Sequence, residues 1–544
     1  MLKQLKDNKF VIGVLIVTII FSGITFNNLP GAQPFKRVQT FNGITYDFNE
    51  YPSLNDEQIA LFNYLRRLIT TEPENSFANW NAEGFTGFLH YLFAFTDYAF
   101  SSIFETTPGY RTDYYSETAY QLIEKMNTTI AEFGNDSIEH IEWGRTNYDE
   151  YYWPNATDPS GLYTGGFRGP ANIMWTAHYT LMETLYERSF NTSVFVDEIN
   201  SFVNDWNNSL TTDGYGNATV GGIWGVGLIP CEPYIVFSQC NSIAIYCTEL
   251  YDNMFGTSYM NMWDYGLDFI NTVMHEEYGL FIDGYFIQEP IGFSGSMGSG
   301  FPSTIPGPAV NRFFDDGRAA ESSYSNAWTL TFLEYTQPEK TAADYPLFLE
   351  KYGADVTGDQ MYMYNSFNHP TFESIMDMLG TLYTCVLAKQ RGDFNTLQRL
   401  QNFLYGSYNK VWSENRREMY YDTSSLFTFL QPVLAALWIW STTPITVRDL
   451  ADARPAAFWE YPFISQADDD KIWVYYAEYD AINSVFLLNI KVDQTANIIF
   501  SNFDHVPQAY DGGSVTTYLV QSGPGPDYDY ILTLQPGSHN LVIL

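Results

Sequence analysis

The sequence has few basic residues, few cysteines and few histidines for its length. Its 544 residues include 26 Lys and Arg against 63 Asp and Glu, and the net charge of -37 argues against a nucleic-acid partner because the chain would repel a phosphate backbone. Four cysteines are too few for a disulfide scaffold. No CxxC pair or HExxH motif accompanies the seven histidines, so we predict no metal site.

One long apolar run stands near the N-terminus, within residues 1–30. Phe10–Phe26 follows Lys3, Lys6 and Lys9, which is the pattern of an export signal or an N-terminal transmembrane anchor. No small-x-small cleavage site follows the run, so we expect an uncleaved anchor and an extracytoplasmic bulk, with a removed signal peptide as the alternative. Six sequons agree weakly with an exported glycoprotein: Asn127, Asn135, Asn155, Asn191, Asn207 and Asn217.

Apolar residues recur at helical spacing in about twelve segments between residues 53 and 445, after a predicted spacer at 31–52. Twelve helices joined pairwise by short loops suit an (α/α)6 barrel, because each hairpin buries one face inward and another against its neighbours. An open helical solenoid would show a similar count. The Gly/Pro-rich stretch within 283–321 is interpreted as either a lid over a barrel mouth or a mobile surface insertion.

The character of the sequence changes beyond residue 446. Alternating β-branched and aromatic runs such as KIWVYYAEY and SVFLLNI are separated by turn-rich pieces. They predict about six strands and a small all-β domain over 446–544. We expect it to serve packing or adhesion and not chemistry.

Three of the four cysteines fall in one short stretch. Pro230 and Pro233 forbid a regular helix around Cys231, and a helix is predicted to begin near Cys240. Cys231 therefore reaches Cys240 only if the loop folds back. From spacing alone, a structural disulfide, plain burial and a functional thiol pair all remain open.

The two other cysteines are interpreted more simply. Cys247 lies seven residues after Cys240 and so shares its helix face, while Cys385 stands alone in a later apolar segment. Both are predicted to be small buried hydrophobic residues.

The segment PCEPYIVFSQCNSIAIYCTELYDNMFGTSY resembles the central motif of the linalool dehydratase-isomerase family, CEPxxxFxQCN followed by a helix and YDxxxGTxY. The likeness extends to NIMWTAHYTLMETLY around His178, HYLFAFTDYAF around Tyr91, SYSNAWTL around Trp328 and GYF around Tyr285, and covers residues 55–442. The resemblance implies an (α/α)6 barrel that interconverts tertiary and primary allylic terpene alcohols and dehydrates them without metal or organic cofactor.

The resemblance also implies which residues form the site. Cys231 and Cys240 would be the thiol pair facing the reacting carbons, with His178 as a polar neighbour that tunes them. Such chemistry needs a proton donor, a base and aromatic walls around a cation-like transition state. The implied substrate-binding residues are Tyr91, Met174, Phe237, Tyr285 and Trp328, with Glu232 as a supporting acid beside Cys231.

One departure from the family pattern bears on the chemistry. The family has an Asp on its first barrel helix and a Tyr about two turns later, where this chain has Arg66 and, nearby, Glu72. A guanidinium is a permanent donor and cannot act as a general base. Because the family pair comes from a neighbouring subunit of a ring, a homo-oligomer is left open.

These residues favour a cofactor-free lyase or isomerase that acts on a small hydrophobic allylic alcohol. Two alternatives remain. A carbohydrate-active (α/α)6 barrel would need two carboxylates about 5 to 10 Å apart in the barrel mouth. A non-enzymatic extracellular binding protein would be favoured if the two sulfurs formed a disulfide in solid core.

Overall fold

The structure is a computed structural model of the 544-residue chain. It describes residues 38–41, 43–71, 80, 89–133, 173–213, 216–231, 235–275, 280–287, 307–308, 322–365, 370–423, 430–511, 514–518, 520–522 and 529–544. The predicted anchor Phe10–Phe26 lies outside these residues, as do Glu72 and Glu232. Among the described helices, none combines the length and the apolar character that crossing a bilayer requires.

Thirteen α-helices form within the described residues. They are α1 (Asp56–Thr70), α2 (Leu89–Thr106), α3 (Asp113–Phe133), α4 (Ile173–Phe190), α5 (Val196–Thr211), α6 (Ser238–Phe255), α7 (Asp264–Thr272), α8 (Ser323–Thr336), α9 (Pro338–Tyr352), α10 (Pro370–Gln390), α11 (Phe394–Ser407), α12 (Leu430–Thr442) and α13 (Val447–Ala451). A 3-10 turn, Tyr259–Trp263, precedes α7.

The even-numbered helices α2 to α12 form a closed inner ring. Each packs against the next in chain order, and α12 packs against α2, so the helices do not form an open solenoid. The odd-numbered helices lie outside: α3 contacts α2 and α4, α5 contacts α4, α9 contacts α8, and α11 contacts α10. The chain therefore alternates between an outer and an inner layer.

Burial patterns explain which helices are inside. In α4 every residue except Phe190 is buried, and α12 is buried along nearly its whole length. In α5 the buried residues include Ile199, Phe202, Val203 and Trp206, the one-sided spacing of a helix at the surface. Helices that are buried on all sides lie in the inner ring, because they have neighbours on every side.

Short β-hairpins accompany the helices. The first, β1 (Val38–Phe41) with β2 (Ile44–Asp47), lies in the segment predicted to be a spacer. Two further hairpins are β6 (Gly353–Thr357) with β7 (Gln360–Met363) and β8 (Asn409–Trp412) with β9 (Met419–Asp422). A small antiparallel sheet joins strands that are distant in the chain, in the order β3 (Ile235–Phe237), β4 (Gly284–Phe286) and β5 (Gly307–Pro308).

Nine strands form the C-terminal β region, which has two antiparallel sheets. They are β10 (Phe463–Ala467), β11 (Ile472–Asp480), β12 (Val485–Val492), β13 (Ala496–Ser501), β14 (Gln508–Asp511), β15 (Ser514–Tyr518), β16 (Val520–Ser522), β17 (Asp529–Leu534) and β18 (Gly537–Ile543). One sheet has the order β11-β12-β18-β14-β15 and the other β10-β13-β17-β16. Phe486 of β12 meets Phe500 of β13 edge to face, with ring centroids 5.3 Å apart. The predicted mainly helical chain with a small β region is confirmed.

The β region is joined to the helices through backbone hydrogen bonds. The turn between α2 and α3 binds the edge of β10, because Ile464 donates to Gly109 at 2.8 Å and Arg111 donates to Ile464 at 3.0 Å. Gly109 also donates to Ala477 of β11 at 2.7 Å, and Leu54 donates to Tyr475 at 2.9 Å. The helical segments therefore cover sheet edges that would otherwise offer unpaired backbone groups.

Candidate functional site

Two thiols meet at the start of the inner helix α6. The sulfurs of Cys231 and Cys240 lie 3.2 Å apart, and each residue is only 2% exposed. A disulfide bond would be about 2.05 Å long, so both residues are thiols and the structural disulfide that the spacing left open does not join them. The loop does fold back and bring the two sulfurs together.

Asn241, the residue after Cys240, holds the loop in this position. Its side-chain oxygen accepts the N–H of Ile229 at 3.0 Å, and its amide nitrogen donates to the carbonyls of Ile229 at 3.0 Å and Phe237 at 2.9 Å. Asn241 is fully buried. It therefore ties the segment that carries Cys231 to the first turn of the helix that carries Cys240.

His178 lies on the inner helix α4 with no exposed surface. Its Nδ1 is 2.6 Å from the hydroxyl of Tyr98, and its Nε2 is buried without a hydrogen-bond partner among the described residues. Burial, with a smaller contribution from His90, lowers the pKa of His178 well below its ordinary value. The imidazole is therefore neutral at neutral pH.

Aromatic side chains from several inner helices surround His178. The ring centroid of Trp328 lies 5.2 Å from that of His178, and that of Tyr91 lies 5.5 Å away. The Tyr91 hydroxyl donates to the Met174 sulfur at 2.7 Å, and Trp328 stacks on Tyr383 with centroids 5.3 Å apart. The structure thus brings Tyr91, Met174, His178 and Trp328 together in one cluster.

Cys240 lies within electrostatic range of this cluster. The pKa of Tyr98 is raised well above its ordinary value, mainly by burial and next by the nearby charge of Asp97. Cys240 is among the weaker acidic neighbours that add to this rise. Burial is also the main cause of the raised pKa of Tyr383, and Cys240 again contributes. Cys240 on α6 and His178 on α4 lie on helices of the inner ring that pack directly against each other.

Phe237 and Tyr285 lie on the strands beside the thiols. Phe237 ends β3 and lies over Gly284, where an added Cβ would meet its ring at 3.2 Å. Tyr285 is half-buried and packs edge to face on Phe269 of α7, with centroids 5.1 Å apart. Tyr285 thus contacts helix α7 of the outer layer.

Arg66 belongs to the junction of α1, α3 and the β region. Its guanidinium stacks over the ring of Tyr114 at 4.1 Å. Burial raises the pKa of the Asp469 carboxyl to about 7, and the positive charge of Arg66 opposes that rise. In this chain Arg66 thus has packing and charge partners on the outer layer.

Sequence reasoning missed Tyr98 and Asn241. Tyr98 lies seven residues after Tyr91 and so shares its helix face, a signal that was present in HYLFAFTDYAF. Asn241 stood within the QCN motif, but only the folded loop shows that its amide binds Ile229, twelve residues earlier.

Among the residues that the structure describes, neither a metal-ligand cluster nor the two cavities at Asn63 and Asn207 include the thiol pair. Within the described ranges, no three His, Cys, Asp or Glu side chains are placed to hold a metal ion. Two cavities lie elsewhere, one beneath the β region at Asn63, Tyr114 and Arg417, and one of about 500 Å³ at the surface near Asn207 and Tyr259. Neither cavity has Cys231 or Cys240 among its lining residues.

Comparison with known proteins adds a family and one structural likeness. No curated protein matches the chain. Among solved structures, the unsaturated glucuronyl hydrolase of Bacillus sp. GL1, described as responsible for the degradation of glycosaminoglycan, is similar with a TM-score of 0.42 and 9% identity, over 73% of this chain and 99% of that chain. A likeness of this size supports no conclusion about activity. The family model for linalool dehydratase/isomerase matches residues 222–426, which confirms the resemblance to that family over the segment that carries both thiols.

Proposed function

We propose that the chain is a cofactor-free lyase or isomerase of the linalool dehydratase-isomerase type, and that its ring of helices is the (α/α)6 barrel of that family. The single observation that carries the proposal is the thiol pair. Two sulfurs 3.2 Å apart, each 2% exposed, lie at the start of an inner helix within the segment that the family model matches.

The proposed substrate is a small hydrophobic allylic alcohol. In dehydration the C–O bond breaks, its electron pair leaves with oxygen, and that oxygen takes a proton from one thiol to depart as water. The carbon next to the allylic system loses a proton to the resulting thiolate, and a C=C bond forms. If water instead adds to the other end of the allylic cation before that carbon loses its proton, and the added water gives one proton to the thiolate, the isomeric alcohol forms.

The cluster around His178 suits an apolar substrate with one hydroxyl. The rings of Tyr91 and Trp328 supply aromatic faces for cation-like character at carbon, and Met174 adds a polarisable sulfur. The Nε2 of His178 is the polar atom that a substrate oxygen would meet there. Glu232 and Tyr285 stay proposed neighbours of the substrate.

We also propose that Phe10–Phe26 anchors the protein in a membrane with its bulk outside the cytoplasm. The support is the basic flank and apolar length of that run in the sequence. Treatment of intact cells with an added protease tests this topology, because an extracytoplasmic bulk would be cleaved and a cytoplasmic one protected.

Cysteine substitution tests the proposed chemistry. The full chain would be incubated with linalool and with geraniol, and the alcohols and diene products measured by gas chromatography. We expect Cys231→Ala and Cys240→Ala each to lose turnover by about 10²- to 10⁴-fold, the range for loss of an acid or base. Cys385→Ala removes an equally buried thiol on α10 and should retain activity. An inactive parent chain, or active Cys231 and Cys240 variants, contradicts the proposal.

A further inference from the structure

His178 can carry its single neutral-state hydrogen on either ring nitrogen, and the site chemistry depends on which one. We propose that Tyr98 is a positioning residue that fixes this hydrogen on Nε2, so that His178 presents a hydrogen-bond donor to the substrate oxygen. This inference rests on the proposed function for its substrate, but the tautomer itself is a property of the unliganded protein.

The distance between the two side chains indicates the direction of the hydrogen bond. The Tyr98 oxygen and His178 Nδ1 are 2.6 Å apart. Bonds donated by O–H span about 2.5 to 3.0 Å, whereas bonds donated by N–H to oxygen span about 2.7 to 3.2 Å. The observed length therefore fits a phenol that donates to a bare Nδ1. It is short for an Nδ1–H that donates to the phenol.

The chemistry of the two groups favours the same direction. A phenol is the stronger hydrogen-bond donor and an imidazole nitrogen the stronger acceptor, because phenol loses its proton more readily than neutral imidazole does. Burial keeps both groups uncharged, since it raises the pKa of Tyr98 and lowers that of His178. Within the described part of the chain, the Tyr98 hydroxyl has His178 as its hydrogen-bond partner.

A count of hydrogens then locates the unsatisfied group. If Tyr98 donates to Nδ1, the remaining hydrogen of the neutral imidazole stands on Nε2, which has no acceptor among the described residues. A buried donor without an acceptor loses the hydrogen bond that it would make in water, which is unfavourable. Tyr91 and Trp328 contact the imidazole through their aromatic rings. A substrate hydroxyl oxygen would supply the missing acceptor.

The inference divides the work of the site between two parts. An Nε2–H holds the hydroxyl oxygen and stabilises negative charge on it as the C–O bond breaks, but it has no lone pair with which to remove a proton. The protons of the reaction therefore belong to Cys231 and Cys240. Tyr98 acts through His178 and touches no substrate atom in this arrangement.

Nitrogen NMR of the full chain tests the tautomer. With ¹⁵N-labelled histidine, bare and protonated ring nitrogens resonate far apart, and the His178 signals among the seven histidines are identified by their absence in His178→Gln. We expect a protonated Nε2 and a bare Nδ1 in the parent chain, and a mixed or reversed pattern in Tyr98→Phe. Tyr383→Phe is the control, because it removes a buried hydroxyl with no hydrogen-bond partner among the described residues.

The outcomes separate this inference from the proposed function. A protonated Nδ1 in the parent chain overturns the inference, and the parent spectrum decides this even if Tyr98→Phe does not fold. An unchanged pattern in folded Tyr98→Phe also overturns it. If the spectra are as expected but the chain does not turn over allylic alcohols, the tautomer is established and only the proposed function is contradicted. Where turnover is measured, Tyr98→Phe should lower kcat by about tenfold or more, as other tautomer errors do.

Discussion

The starts of the inner helices α6 and α8 are built with the same device and carry different chemistry. In α6, the fourth residue Asn241 binds both backbone groups of Ile229 and the carbonyl of Phe237. In α8, the fourth residue Asn326 binds both backbone groups of Phe281, at 2.8 and 2.9 Å, and the carbonyl of Ser322 at 3.0 Å.

What differs is the residue that precedes each asparagine. Cys240 stands before Asn241, and its partner Cys231 lies in the loop that Asn241 holds. Ser325 stands before Asn326 and donates to Gln239 of α6 at 2.9 Å. We call the three side-chain hydrogen bonds of Asn241 or Asn326 an amide bracket. The bracket belongs to the fold, because it fixes the loop before an inner helix in both places. The thiol pair is an addition at one of two such brackets.

Removal of the two brackets gives the largest expected effects. Asn241→Ala and Asn326→Ala each delete three buried hydrogen bonds, so we expect each to lower the free energy of unfolding by about 2 to 4 kcal/mol in urea denaturation. Only Asn241→Ala should separate the sulfurs. Diamide, which takes two electrons and two protons from a thiol pair, should form the Cys231–Cys240 disulfide at least about tenfold more slowly in that variant.

Thiol counting by mass spectrometry checks the comparison. Asn326→Ala should form the disulfide at the parent rate, since its bracket holds Phe281 and not the loop of Cys231. Equal slowing in both variants would show that the two brackets act as one unit, and that the thiols depend on the ring as a whole.

A third inner-helix start, that of α2, carries a buried imidazole. His90 is the second residue of α2, and burial lowers its pKa to about 3. The pKa of His90 is therefore lower in the folded chain than in the unfolded chain. The contribution of neutral His90 to the free energy of unfolding is complete above about pH 6.5 and is lost as the pH falls toward 3. His178 acts in the same direction.

Urea denaturation at several pH values checks this expectation. At pH 4.5 the His90 contribution to the free energy of unfolding should have fallen by about 3 kcal/mol, because pH 4.5 lies about two units below the pKa of histidine in the unfolded chain. His90→Gln should flatten this part of the profile, whereas His505→Gln, at an exposed position, should leave it intact. A parent-like profile in His90→Gln would mean that other groups cause the acid sensitivity.

Two glycines in the loop before α6 differ in the space around them. Gly222 and Gly225 both have positive φ, +66° and +72°, but an added Cβ at Gly222 would meet the Ser209 carbonyl oxygen at 2.1 Å, while the space at Gly225 is open. Gly225→Ala should cost only the backbone penalty of about 1 to 2 kcal/mol. Gly222→Ala should cost about 1 to 3 kcal/mol more, because backbone must shift. Equal melting temperatures would contradict the contact.

The sequence predicted the helices well because their apolar spacing is local. Apolar residues recur at helical spacing near 193–209 and 239–254, and the structure has the helices Val196–Thr211 and Ser238–Phe255 there. Six strands were predicted in the β region, and nine are observed. The added strands, β10, β14 and β16, are short and partly polar, as in QAYD and VQS, so they lack the alternation on which strand prediction depends.

What the sequence could not show depends on contacts between distant residues. The hairpin at 38–47 forms in a segment expected to be a spacer, where Gln39 donates to the carbonyl of Asn540, and Tyr46 packs with Leu487 and Val542. The site followed the same rule. Motif matching gave candidate site residues, but the bond from Tyr98 to His178 joins residues 80 positions apart and is visible only in the folded ring.

The smallest expected effect concerns the cap that α8 has and α6 lacks. Ser322 accepts the N–H of Ser325 at 3.2 Å, whereas Phe237, at the same position before α6, forms no side-chain cap. Ser322→Ala should lower the free energy of unfolding by about 1 kcal/mol, and Ser322→Gly by only a few tenths, since glycine tolerates the cap conformation. Urea denaturation of both variants beside Asn326→Ala ranks the two devices. If Ser322→Ala were as costly as Asn326→Ala, the cap and not the amide bracket would hold this helix start, and α6, which has only the bracket, would need another explanation for its fixed loop.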